Sequence, residues 1–162
     1  MGTIRREDPD CTGNPQRLDV RDRSSKLEAE WVTGFVDGEG CFHVGVAVHP
    51  DMRMHLQVLP EFTVVQHERD VRLLHALKAF FGCGIVRRNH GDRAAYRVRK
   101  RSDLIRTIVP FFLEHPLQSR KRDDFDVFRR VLLMMERDVH LSQSGVEIIR
   151  AMAGTMNRGR SR

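Results

Sequence analysis

From Ser25 onward the apolar residues first follow a helical period and then switch to alternation. Leu27, Trp31, Gly34, Phe35 and Gly38 fall along one stripe of a helix, and Ser25 followed by Glu28 has capping-box spacing. Gly40 supplies the stop. From Cys41 the period becomes two: Phe42, Val44, Val46 and Val48 alternate with Cys41, His43, Gly45, Ala47 and His49, which predicts a half-buried strand. After a turn near Pro50 and Asp51, the segment from Met54 to Gln66 alternates again, with Leu56, Val58, Phe62 and Val64 opposing His55, Gln57, Glu61 and Thr63. It predicts a second strand paired back on the first.

Val71, Leu74, Leu77 and Phe81, reinforced by Leu73 and Phe80, predict a helix that Gly82 and Gly84 terminate. Ile85 to Asn89 and Ala94 to Lys100 read as a hairpin turning at Gly91 and Asp92, its exposed face largely arginine. Three helical segments follow. Asp103 to Phe112 ends around Pro110; Ser119 to Arg137 carries Phe125, Phe128, Val131, Leu132 and Met135 on one face; Ser142 to Met156 packs through Val146, Ile149, Ala153 and Met156. The order is α-β-β-α-β-β-α with added C-terminal helices, an α+β chain. A length of 162 residues suffices for one sizeable core but hardly two. Residues 1–24 mix charges with Pro9, Gly13 and Pro15 and read as a flexible extension, 25–157 as one domain, and 158–162 as a basic tail. The first helix has no second copy.

The net charge of +6 is unevenly spread. Residues 85–101 carry Arg87, Arg88, Arg93, Arg97, Arg99, Lys100 and Arg101 against only Asp92, whereas 25–84 are net acidic. So local a block of cations suits a polyanion, because neutralising phosphates releases condensed counterions. Three widely spaced cysteines, Cys11, Cys41 and Cys83, lack the pairing of a zinc ribbon or redox motif and suggest a reducing compartment. No apolar run approaches the roughly 20 residues needed to span a bilayer, and the N-terminus lacks a signal-peptide core, so the expectation is a soluble intracellular protein with no membrane partner and no small-molecule substrate. The eight histidines have no zinc-ligand spacing.

The most specific segment is Val32-Thr33-Gly34-Phe35-Val36-Asp37-Gly38-Glu39-Gly40. Gly34 and Gly38, spaced G-x-x-x-G, leave one helix face without bulk, so a second backbone can approach closely. Trp31 and Phe35 beside them read as core or interface. Asp37 and Glu39 end the helix with carboxylates suited to a hard divalent cation.

This segment resembles the signature of the LAGLIDADG homing endonucleases, in the single-motif, homodimeric form, and the resemblance covers about residues 25 to 157. It implies a saddle-shaped antiparallel sheet and cleavage of double-stranded DNA at a long, roughly palindromic site, with Mg2+ as cofactor and Mn2+ as a substitute. Glu39, standing where aspartate is commoner, would bind metal with the Gly38 backbone carbonyl. Phe62-Thr63-Val64-Val65-Gln66 resembles the family strand whose closing glutamine, here Gln66, lies near the nucleophile. Pro116-Leu117-Gln118-Ser119-Arg120-Lys121-Arg122 resembles the segment whose lysine stands near the scissile phosphate; Lys121 is the better match, with Arg120 competing. Trp31, Gly34, Phe35 and Gly38 would form the dimer interface. Candidate base readers on the solvent face of the sheet are His43, His49, Gln57, Glu61, Thr63, Arg87, Asn89, Arg97 and Arg99, since arginine to guanine and asparagine or glutamine to adenine each discriminate by about 1–3 kcal/mol. Such a protein is typically encoded in an intron or similar mobile element. The alternatives are a scaffold of this family that has lost cleavage and acts as an RNA maturase or regulator, or an unrelated basic nucleic-acid-binding module.

Overall fold

The computed structural model describes residues 27–51 and 55–157; the extension expected over 1–24 and the tail over 158–162 lie outside the described residues. Helix α1 (Ala29–Glu39) runs directly into strand β1 (Gly40–Val48). This junction has no loop, and Gly40 permits it: a Cβ there would lie 2.6 Å from Val36 Cγ1 and 2.8 Å from the Val36 carbonyl oxygen. The capping box expected at Ser25 lies outside the described residues. Glu28 is itself the N-cap and makes no side-chain capping bond, so α1 is held by packing, with Val32 and Val36 fully buried.

Strand β2 (Leu56–His67) returns antiparallel to β1, pairing Phe42 with Phe62 and Gly40 with Val64. Helix α2 (Val71–Phe81) follows a 3-10 turn and ends at Gly82, whose φ of 65° is the left-handed cap that glycine adopts without Cβ strain. The hairpin β3 (Ile85–Arg88) and β4 (Arg93–Val98) completes one four-stranded sheet of order β1-β2-β4-β3. Residues 62–67 of β2 pair with β4, leaving its first half without a neighbour on that side. Pro60 sits in this uncovered half, where its missing N–H breaks no bond to β4.

Helical segment α3 continues to Glu114, past the end expected near Pro110. It is built from Arg101–Asp103, a π-helical stretch Leu104–Ile108, and Val109–Glu114. The wider π turn just ahead of Pro110 accommodates a residue that can neither donate its N–H nor tolerate the carbonyl four residues back. Helices α4 (Lys121–Glu136) and α5 (Gln143–Ala153) complete the chain, the latter capped by the Ser142 hydroxyl accepting from the Gly145 N–H at 3.1 Å.

The even-numbered residues of β1 and β2 face the helices, as the alternation predicts, and Phe42 is the hub. Its ring lies 5.2 Å from Phe62, 5.4 Å from Phe112, 5.2 Å from Phe125 and 5.3 Å from Phe128. One aromatic cluster therefore joins the sheet to α3 and α4. The segment after α5 also folds back on β1: Asn157 Nδ2 donates to the Phe42 carbonyl at 3.0 Å and its backbone N–H to Asp124 Oδ1 at 2.9 Å. No helix of the described residues is long and apolar enough to cross a membrane.

Candidate active site

The C-terminus of α1 and the N-terminus of α4 meet, and each sends a charged side chain to the other. Lys121 Nζ donates to the carbonyls of Val36 at 3.0 Å, Gly38 at 3.3 Å and Gly40 at 2.5 Å. An ammonium is stabilised there because the last turn of a helix leaves carbonyls unsatisfied and carries partial negative charge. In return, the Asp37 carboxylate accepts from the backbone N–H of Gln118 at 2.7 Å, from that of Ser119 at 3.0 Å and from the Ser119 hydroxyl at 2.5 Å. Burial pushes the Asp37 carboxyl up, but the Ser119 hydroxyl, the two amides and the Lys121 ammonium outweigh it and hold it below the ordinary carboxylate value. Each charge thus sits at the favourable end of the other helix.

This reciprocal clasp gives the two carboxylates at the end of α1 different surroundings. Asp37 is committed to the turn before α4, 81 and 82 positions away along the chain. Glu39 is exposed at the helix end, beside the Gly38 carbonyl that Lys121 reaches. Among the described residues no group of three or more His, Cys, Asp or Glu could hold a metal ion. What α1 presents is an oxygen-only set, the exposed Glu39 carboxylate and the Gly38 carbonyl that also accepts from Lys121. That set fits Mg2+, which commonly takes one or two carboxylates and completes its shell with water and substrate phosphate. Gln66 lies near the end of β2, two residues beyond the Val64 that pairs with Gly40, so register brings it to the same end of the sheet. Arg120 is the N-cap of α4 and is exposed.

The odd-numbered residues of the strands form the open face of the sheet. His43 is paired with Glu61, Gln57 with Ala47, Thr63 with Cys41 and Arg97, and Arg87 with Ala95. The Thr63 hydroxyl donates to the Tyr96 carbonyl at 3.1 Å. Arg97 Nη2 donates to Asn89 Oδ1 at 2.8 Å, and Arg99 Nε bonds the Glu61 carboxylate. Arg97 Nε lies 3.8 Å from that carboxylate, out of water and without a hydrogen-bond partner. His49 follows the last residue of β1, in the turn where its N–H bonds the His55 carbonyl at 2.9 Å.

Helix α1 has a second face that, among the described residues, is partly uncovered. Its core side is Val32 and Val36, whereas Trp31, 42% exposed, lies one residue further round with Gly34, Phe35 and Gly38. The Trp31 and Phe35 rings stack at 4.8 Å, and a Cβ built on Gly34 or Gly38 would meet nothing within 4 Å. The periodic stripe in the sequence thus straddles two faces: Trp31, Gly34 and Gly38 are exposed, while Leu27 and Phe35 pack partly against the core.

The sequence reading grouped Asp37 with Glu39 as carboxylates suited to a cation and did not anticipate what Asp37, Ser119 and Asn157 bond. Their partners are distant in sequence and no local pattern signals them.

Comparison with known proteins gives a consistent result. A family model described as LAGLIDADG endonuclease matches residues 32–132, more than half of the chain. The crystal structure of the homing endonuclease I-TnaI is 53% identical and superposes with a TM-score of 0.80, covering 83% of this chain and 91% of that one. Meganuclease I-SmaMI, solved bound to uncleavable DNA, is 32% identical with a TM-score of 0.79, over 83% of this chain but 45% of its own. A 50.9 kDa protein in ND4 intron 1 of Podospora anserina is 32% identical over 121 residues, 74% of this chain. The chain spans only 27% of that relative's length.

Proposed function

We propose, from the premise that this chain belongs to the LAGLIDADG endonuclease family, that it is a site-specific, metal-dependent DNA endonuclease acting as a homodimer. The observation that carries this reading is the clasp between α1 and α4, which sets the Lys121 ammonium against the carbonyl end of α1 beside the exposed Glu39 carboxylate. An acid, a cation and oxygen donors converge at one edge of a sheet whose open face carries arginines.

In this reading Glu39 and the Gly38 carbonyl hold Mg2+, or Mn2+ in its place. Held there, such an ion would supply Lewis acidity toward the scissile phosphate and the attacking water. Lys121 stabilises the charge that develops on the phosphate as the bond breaks. Gln66 orients the attacking water through its side-chain amide. Asp37 acts on Lys121 indirectly, by fixing the turn that begins α4.

Recognition falls to the open face, where His43, Gln57, Glu61, Thr63, Arg87, Asn89, Arg97 and Arg99 follow a major groove. His49 supports the adjoining turn. The bare face of α1 supports the assembly: two glycines and a stacked aromatic pair let a second copy of α1 approach closely. Two-fold pairing would bring two Glu39 carboxylates together and select a near-palindromic target. I-TnaI, matched over 91% of its length, is a protein of comparable extent, while I-SmaMI carries more than twice the matched region. An intron or similar element is the expected genetic context, as for the Podospora relative.

The test is cleavage of a randomised duplex library in magnesium, comparing the parent with Glu39→Gln and sequencing the ends. Cutting at one long, near-palindromic sequence that Glu39→Gln abolishes is the expected result. Specific binding without cutting, in magnesium or manganese, would instead make the chain a binding protein.

A further inference from the structure

One acid stands among the bases of the open face. Glu61 of β2 has a side chain only 16% exposed, bonded by Arg99 Nε and 3.8 Å from Arg97 Nε. Arg97 is tethered at its far end as well, through Nη2 to Asn89 Oδ1. Arg99 has no second anchor among the described residues and its side chain is 62% exposed. A carboxylate on a surface built to meet phosphates opposes binding, so its position calls for a function other than affinity.

We propose that Glu61 is a specificity-determining residue, which withholds Arg97 and Arg99 from phosphates and holds Arg97 in a fixed orientation to read a guanine. The inference rests on the DNA-cutting reading above. A freely rotating guanidinium pairs with any phosphate, and every sequence offers those equally. A guanidinium hydrogen-bonded at one end and facing a carboxylate at the other presents its remaining N–H groups in one direction, which suits the paired O6 and N7 acceptors of a guanine edge. The carboxylate adds a penalty for wrong ligands, since drawing Arg99 off to a phosphate leaves Glu61 facing DNA with less of its charge compensated. Asn89 then acts as a positioning residue, with its oxygen committed to Arg97.

The experiment selects duplexes from a randomised library with the parent chain in calcium, then measures binding of the selected duplex and a scrambled one across a salt series, for the parent and for Glu61→Gln. The expected result is tighter binding of the scrambled duplex by Glu61→Gln, with the slope of log K against log salt steeper by about one. The ratio of selected to scrambled affinity should fall about tenfold, with the loss concentrated at guanine positions. Equal weakening on both duplexes would make Glu61 merely structural, and parent-like ratio and slope would make it idle; either overturns the inference. A thermal melt checks that Glu61→Gln folds. Should it not, Arg97→Lys keeps a cation beside Glu61 but loses the two-pronged donor, so the ratio should fall at guanine positions with the salt slope unchanged; a parent-like ratio there overturns the inference too. If the parent selects no sequence, the DNA reading falls and takes this inference with it. If the parent selects and the variants do not differ from it, only this inference falls.

Discussion

Replacing Asp37 with asparagine tests the clasp that joins the two helix ends. The carboxylate accepts from two backbone N–H groups and one hydroxyl, at 2.5 to 3.0 Å. Asparagine retains one acceptor but turns an N–H2 toward donors, so at least one backbone N–H loses its partner. Hydrogen bonds to a charged group contribute about 1.5–3 kcal/mol each when well buried, but this group is partly solvated, which argues for about 2 kcal/mol for the whole arrangement. For a domain of this size that corresponds to a Tm fall of about 4–8 °C at neutral pH, measured by circular dichroism or calorimetry. The sign with pH follows from the depressed pKa. Asp37 in the folded chain holds its proton less tightly than at its ordinary value of 3.8, so its contribution is present above that value and is lost as pH falls through the lower, folded one. The gap between parent and variant should be constant above about pH 4 and narrow in acid. An Asp37→Asn variant melting within a degree of the parent at pH 7, or one whose deficit persists unchanged through acid titration, would refute the reasoning.

Lys121→Met should cut the cleavage rate by at least about a hundredfold while leaving DNA affinity in calcium nearly intact, read from single-turnover kinetics and a binding titration; comparable losses in both would show the ammonium to be a phosphate anchor. Gly34→Leu places a side chain where nothing lies within 4 Å, so the subunit should remain folded while the dimer dissociates, as sedimentation velocity would report. A dimer that survives would move the interface off α1. Gly40→Ala drives a Cβ into Val36 and should cost about 1–3 kcal/mol in urea unfolding; a neutral result would mean the junction is softer than the contacts imply.

The open face of the sheet was legible because strand alternation has a period of two. Once Phe42, Val44, Phe62 and Val64 are assigned to the core, His43, Glu61 and Thr63 have nowhere else to go, and the structure places them so. The pairing of β2 with β4 was not legible. It joins residues 62–67 to 93–98 across a helix and a hairpin strand, and periodicity carries no information about which strands become neighbours. The stripe on α1 shows a subtler limit: Trp31 and Phe35 are as apolar as Val32 and Val36, and composition alone does not say which face meets the core.

The residue order by itself determined the elements, the glycine-faced acidic helix, the cluster of arginines and hence the family, because these depend on local period and on short motifs read within one element. Only the tertiary structure bound Asp37 to the turn before α4, brought Lys121 onto the carbonyl end of α1, and set Arg97 between Asn89 and Glu61. These distinctions arise from hydrogen bonds and ion pairs between segments far apart in the chain. They are satisfied only when the sheet and helices have closed around the Phe42 core, and no short-range pattern encodes them.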